Sequence, residues 1–192
     1  ENLFKRILDI EPDHVKSIFY LGSLSVQTRN FDRAKQLLNK TIQINPNHTK
    51  AHNNLGIVFQ ELGEPQKAIS CYEKAIEINP NYAGAYSNLG AVFNELGDHK
   101  KAISCCEKAI EINPNYADAY NNLGVVFNEL GDHKKAISCC EKAIQIQPNY
   151  AEAHNNLGVT LQEQGKLDEA VRSYARALQV KPDYDIALAQ KL

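Results

Sequence analysis

The chain has 192 residues, 43% hydrophobic and 23% charged, with a formal net charge of -2. That balance lacks the clustered cationic excess of a nucleic-acid surface, and no apolar run approaches the roughly 18–20 residues that span a bilayer. Neither a nucleic-acid nor a membrane partner is therefore expected. The five cysteines, an odd number without a small-domain framework, point to reduced thiols and a cytoplasmic address. The opening Glu1-Asn2-Leu3-Phe4-Lys5 has neither an initiator methionine nor a signal-peptide pattern, which suggests a module of a larger protein.

Self-similarity dominates the rest. Pro12, Pro46, Pro80, Pro114, Pro148 and Pro182 stand 34 residues apart. Gly22, Gly56, Gly90, Gly124 and Gly158 keep that period, as do Gly63, Gly97, Gly131 and Gly165. Such a period marks stacked supersecondary units. In chain order, residues 1–14 match the second helix of a preceding, truncated unit. Five full units follow, at 15–48, 49–82, 83–116, 117–150 and 151–184, and residues 185–192 match the start of a further helix or cap. Phe4, Ile7 and Leu8 at one end, and Leu188 at the other, are expected to leave apolar faces uncovered, so end-to-end self-association is a third possibility beside the two functions weighed below.

Each unit reads as two helices. In 117–150, Ala119, Tyr120, Leu123, Val126, Phe127 and Leu130 recur at three- and four-residue spacing, the pattern of an amphipathic helix. Gly131 permits a left-handed stop and Asp132 can cap the helix that follows. Ala136, Ile137, Cys140, Ala143, Ile144 and Ile146 form the second stripe, and Pro148 closes it. Gly124, Ala136 and Ala143 are small enough for close helix approach. Pro65 suits the first turn of a helix, where its missing N–H costs little.

Tyr86, Leu89-Gly90, Phe93, Gly97, Ala102, Cys106, Ala109 and Pro114 carry the signature that this pattern resembles, the tetratricopeptide repeat. The first full unit departs most from it, with Ser25 for the aromatic, Arg29 for the glycine and Thr41 for the alanine. The resemblance covers the whole chain. It implies an all-α fold, a right-handed α-solenoid or superhelix of antiparallel helix pairs with a 34-residue period. Leading helices would line its concave side and trailing helices its convex side. No hairpin can bury its own apolar faces, so neighbouring units must stack.

Concave-groove candidates follow from the leading helices. Asn54, Asn88, Asn122 and Asn156 hold one register, with Tyr20 at its head. Asn53, Asn121 and Asn155 hold the position before, with Phe19 and Ser87. An amide offers donors and an acceptor, which suits a peptide backbone of any sequence. The first register is similar to the asparagine ladder of the O-GlcNAc transferase repeat domain, which holds substrate peptide. Gln60, Asn94, Asn128 and Gln162 form a further line, and Glu61, Glu95, Glu129 and Glu163 an acidic one that would favour a basic ligand. Another branch of the family clamps a chaperone's terminal carboxylate with Lys, Arg and Asn, but Ser23, Ile57, Ala91, Val125 and Val159 stand where its first Asn would.

A protein- or peptide-binding scaffold is therefore the expected function. The alternative, carried by the same asparagines, is the substrate-recruiting arm of a transferase whose catalytic domain is absent. No enzyme activity, cofactor or metal is expected. Cys105-Cys106 and Cys139-Cys140 are adjacent pairs rather than Cys-x-x-Cys, and Cys106 and Cys140 share the register of Tyr72 and Tyr174, which reads as core filling. His52 and His154 share the core register of Tyr86 and Tyr120. His99 and His133 begin trailing helices, while His14 and His48 fall in turns, and none sits beside a nucleophile.

Overall fold

The computed structural model describes residues 2–182, so the expectations for Leu188 and for 185–192 lie outside the described residues. Among the described residues the chain is all-α, with eleven helices and no strand. They are α1 (Asn2–Ile10), α2 (Val15–Gln27), α3 (Phe31–Ile44), α4 (Thr49–Glu61), α5 (Pro65–Ile78), α6 (Ala83–Glu95), α7 (His99–Ile112), α8 (Ala117–Glu129), α9 (His133–Ile146), α10 (Ala151–Glu163) and α11 (Leu167–Val180). Even-numbered helices lead each pair and odd-numbered helices trail.

The chain divides into two compact units, Glu1–Val92 and Phe93–Leu192. In the first, α2 packs along α3 and α4 along α5, while α3 meets α4 and α1 rests on α2. In the second, α8 pairs with α9 and α10 with α11, with α7 against α8 and α9 against α10. Short turns make each pair antiparallel.

Local chemistry sets the helix ends. The carboxylates of Asp98 and Asp132 accept from the backbone N–H of Lys101 and Lys135, both at 3.2 Å, and cap α7 and α9. The side-chain bonds to the Lys101 and Lys135 ammonium groups, together with these backbone bonds, hold both carboxyls below their usual value. Pro65 occupies the first turn of α5. Two caps use histidine, a residue outside the usual capping set. His14 accepts from Ser17 N–H and His48 from Ala51 N–H, so both turn histidines have a structural task. After the leading helices, Gly63, Gly97, Gly131 and Gly165 take φ of +70 to +76°. Arg29 holds the same left-handed place with φ 56°, although its Cβ disfavours it.

Buried residues follow the predicted stripes except at Leu130, which ends its helix 50% exposed. Ala34, Leu38, Ala51, Leu55 and Val58 make one cluster, with Phe19, Val26 and Phe59 packed on it. Leu161, Ala170 and Tyr174 make another, with Ile137, Leu157 and Val159. Full burial of one such aliphatic side chain contributes about 1.5–3 kcal/mol. Gly56 and Gly158 let the pairs close: a Cβ at Gly56 would lie 2.5 Å from the Tyr72 ring, and one at Gly158 2.6 Å from Tyr174. Cys106 and Cys140 are fully buried in the register of those tyrosines.

The N-terminal helix differs from expectation in one respect. Phe4, Ile7 and Leu8 are half-buried rather than bare, and Phe4 stacks on Tyr20 with ring centroids 5.3 Å apart. The apolar residues that α1 exposes are Leu3 (66%) and Ile10 (83%).

Candidate functional site

Each leading helix places its asparagines by a rotation of about 100° per residue, so adjacent registers meet different surroundings. Asn53, Asn121 and Asn155 are only 4%, 6% and 6% exposed, as buried as core residues. Expected in the groove, they sit instead at core-like burial, and Asn53 and Asn121 accept bonds from the next leading helix. Asn54, Asn88, Asn122 and Asn156, one position on, are half-buried and reach the surface.

The two registers interlock between repeats. In the first unit Asn88 donates Nδ2–H to Oδ1 of Asn53 at 3.1 Å, and Asn54 donates to Oγ of Ser23 at 2.9 Å. In the second, Asn156 donates to Oδ1 of Asn121 at 2.9 Å. Each bond satisfies a buried or half-buried acceptor and joins consecutive leading helices. It also fixes the rotamer of an amide that retains a second N–H and further acceptor capacity on its oxygen.

The line of Gln60, Asn94, Asn128 and Gln162 is tied down from below in two ways. Where the trailing helix carries tyrosine, its hydroxyl donates to the glutamine, Tyr72 to Gln60 at 3.0 Å and Tyr174 to Gln162 at 2.8 Å. Where cysteine replaces tyrosine, asparagine takes the place and bonds a histidine instead. Asn94 Oδ1 meets His99 Nδ1 at 3.0 Å and Asn128 Oδ1 meets His133 Nδ1 at 3.1 Å. The same asparagines donate to the acid of the next repeat, Asn94 to Glu129 at 3.1 Å and Asn128 to Glu163 at 2.8 Å. His99 and His133 thus anchor the loops in a relay that sequence reading missed. The signal was present, since Cys, Asn and His change together at 106, 94 and 99 and again at 140, 128 and 133.

The acidic line is exposed and largely engaged along the stack. Glu61 pairs with Arg29 at 2.7 Å, and Glu129 and Glu163 take the relays just described. On the trailing side, Lys101 lies 5.0 Å from the Phe93 ring centre and Lys135 4.9 Å from that of Phe127, each also paired with its capping aspartate. Burial pushes the thiols up, to about 11 at Cys71 and Cys139 and about 12 at Cys106 and Cys140. They are thus far from the thiolate that nucleophilic or metal chemistry needs. His52 and His154 place Nε2 2.9 Å from the carbonyl oxygens of Pro46 and Pro148, pinning the repeat turns. Among the described residues no helix is long and apolar enough to cross a membrane.

Antiparallel pairs stacked at a constant period, crossing at glycine and stopping at glycine, define a helical-repeat protein. Models of the tetratricopeptide repeat match residues 15–48, 49–82, 81–148 and 115–183. The chain belongs to the tetratricopeptide repeat family. Its fold matches solved structures along most of their length. The crystal structure of MamA protein is 30% identical, covers 89% of this chain and 95% of its own, and gives a TM-score of 0.64. TTC0263, a thermophilic TPR protein of Thermus thermophilus, is 25% identical over 92% of this chain and 96% of its own, with a TM-score of 0.83. YrrB, described as a TPR protein with an unusual peptide-binding site, shares the fold at 23% identity, covering 98% of both chains, with a TM-score of 0.61. A comparison with curated proteins finds no match.

Proposed function

We propose that the leading-helix face of this chain holds an extended segment of a partner protein, and that the chain acts as an interaction module without catalytic chemistry of its own. The observation that carries this reading is the half-buried amide that recurs at one register of the leading helices, Asn54 and Asn88 in the first unit and Asn122 and Asn156 in the second. Where the sideways bonds are seen, at Asn54, Asn88 and Asn156, each amide is held in one orientation while keeping hydrogen-bonding capacity toward solvent. Pre-organised amides bind a backbone at lower entropic cost than free side chains. A peptide ligand is the kind that YrrB's description names for YrrB. The histidines and cysteines, the groups that could have served catalysis, are engaged in caps, turns, relays and packing.

The test is replacement of Asn54, Asn88, Asn122 and Asn156 together by alanine. Retention of peptides from a degenerate library is expected to fall steeply while the helical circular dichroism is kept. Unchanged retention would remove the reading.

A second reading, self-association through α1, is favoured by the exposure of Leu3 and Ile10. Light scattering across concentration checks it. Growth in mass that Leu3→Ser and Ile10→Ser abolish supports it, and a constant monomer mass overturns it.

A further inference from the structure

One cleft on the leading-helix face differs from the wide grooves elsewhere. It lies between α8 and α10, holds about 170 Å³, and is lined by Gly124, Val125, Asn128, Glu129, Asn156, Val159 and Thr160. Val125 and Val159 supply apolar walls from equivalent positions of successive repeats. Glu129 stands one turn beyond Val125, on the same side of α8. The Thr160 hydroxyl is engaged with the Asn156 carbonyl at 2.9 Å, and the Asn128 amide with Glu163 at 2.8 Å and His133 at 3.1 Å, which leaves the Asn156 amide and the Glu129 carboxylate as the polar groups facing the cleft.

Charge is segregated around this cleft. α8 and α10 contain Asp118, Glu129, Glu152 and Glu163 and neither lysine nor arginine. The neighbouring trailing helix α9 carries Lys134, Lys135 and Lys142 against the single acid Glu141. Asp118 bonds Tyr150 and Glu152 pairs with Lys181, so both are occupied away from the cleft. Glu129 takes the Asn94 amide on one oxygen, and its other oxygen lies 3.8 Å from His99 Nδ1. Among the described residues no ammonium or guanidinium group neutralises it there.

Resting on the peptide-binding reading above, we propose that the α8–α10 cleft selects a lysine or arginine side chain of the bound segment. The aliphatic stem lies between Val125 and Val159, as long cationic side chains commonly lay their methylenes on apolar surface. The cationic head reaches Glu129 at the mouth, where a charge-assisted hydrogen bond forms. Asn156 stands at the opposite wall and takes the backbone of the same residue. The open amide row then supplies affinity without sequence preference, and this cleft supplies selectivity.

The experiment is affinity selection from a degenerate library of short unstructured peptides, on the full chain and on variants whose helicity is checked. The wild type is expected to enrich lysine or arginine at one peptide position. Glu129→Gln is expected to reduce the affinity of a selected basic peptide roughly tenfold, the size of one charge-assisted bond, and to erase the preference. Val125→Phe fills the cleft and should erase it too. Norleucine in place of the selected lysine should bind the wild type and Glu129→Gln equally. Enrichment with no basic position would overturn the cleft assignment and leave the peptide reading standing. A basic preference surviving both variants would overturn it as well. Retention of nothing by the wild type would overturn both.

Discussion

Asn156 donates its amide to the side-chain oxygen of Asn121 across 2.9 Å, from α10 to α8, and Asn88 does the same to Asn53 across 3.1 Å in the other unit. The acceptors are buried and the donors half-buried. One contact therefore fastens two repeats and sets the pose of a surface amide.

That arrangement predicts coupling. Asn156→Ala leaves a buried oxygen unpartnered, and Asn121→Ala removes the acceptor, so each should destabilise the fold by about 1–2 kcal/mol. The double variant should fall short of their sum by about 1 kcal/mol. Urea midpoints measure this, and strict additivity would show that the bond contributes nothing.

Arg29 and the stop glycines predict opposite signs. Arg29→Gly relieves a left-handed backbone at φ 56° and loses an exposed pair with Glu61. A net gain of about 0.5–1 kcal/mol is expected, since such surface pairs contribute little. Gly131→Ala, at φ +74° with open space around it, should cost about 1 kcal/mol from backbone conformation alone. Thermal unfolding of the two variants checks both signs.

Gly56 and Gly158 are demanded by contact instead. An added methyl meets the Tyr72 or Tyr174 ring inside van der Waals distance. Gly56→Ala and Gly158→Ala should each cost about 1–3 kcal/mol through overpacking. Tyr72→Phe added to Gly56→Ala should not restore the loss, because the clash is with the ring and not the hydroxyl. Urea midpoints of the single and double variants check this.

The thiols predict a pH dependence. Burial raises Cys106 and Cys140 from near 9.0 to about 12, so the folded state holds their protons more tightly than the unfolded chain. The associated stability is fully present below pH 9 and is lost as pH rises from about 9 toward 12. Denaturation midpoints should fall across that window, and less so in Cys106→Ala/Cys140→Ala. Native protein should also alkylate slowly at about pH 8, where the buried thiols stay protonated, and quickly in urea.

The repeat period and helix pairs were legible because proline and glycine have backbone meanings that survive any context. Pro65 and Gly131 stand where their φ preferences require. Which leading-helix side chains reach the surface was legible only in part. Asn53 and Asn54 carry the same side chain one residue apart, and composition cannot tell which of two adjacent registers turns into the seam. Packing of the next leading helix decides it. The capping tasks of His14 and His48 were hidden because imidazole lies outside the usual capping set. The relay at Asn94 and Asn128 joins residues 35 apart, beyond the reach of periodicity within one helix.

Side-chain amide resonances of Asn54, Asn88, Asn122 and Asn156, followed by NMR while a library-selected peptide is titrated, test the central claim most directly. Saturable shifts in these amides are expected, with the trailing-helix resonances of Lys74, Lys108 and Lys142 still. Shifts confined to the trailing helices would contradict it.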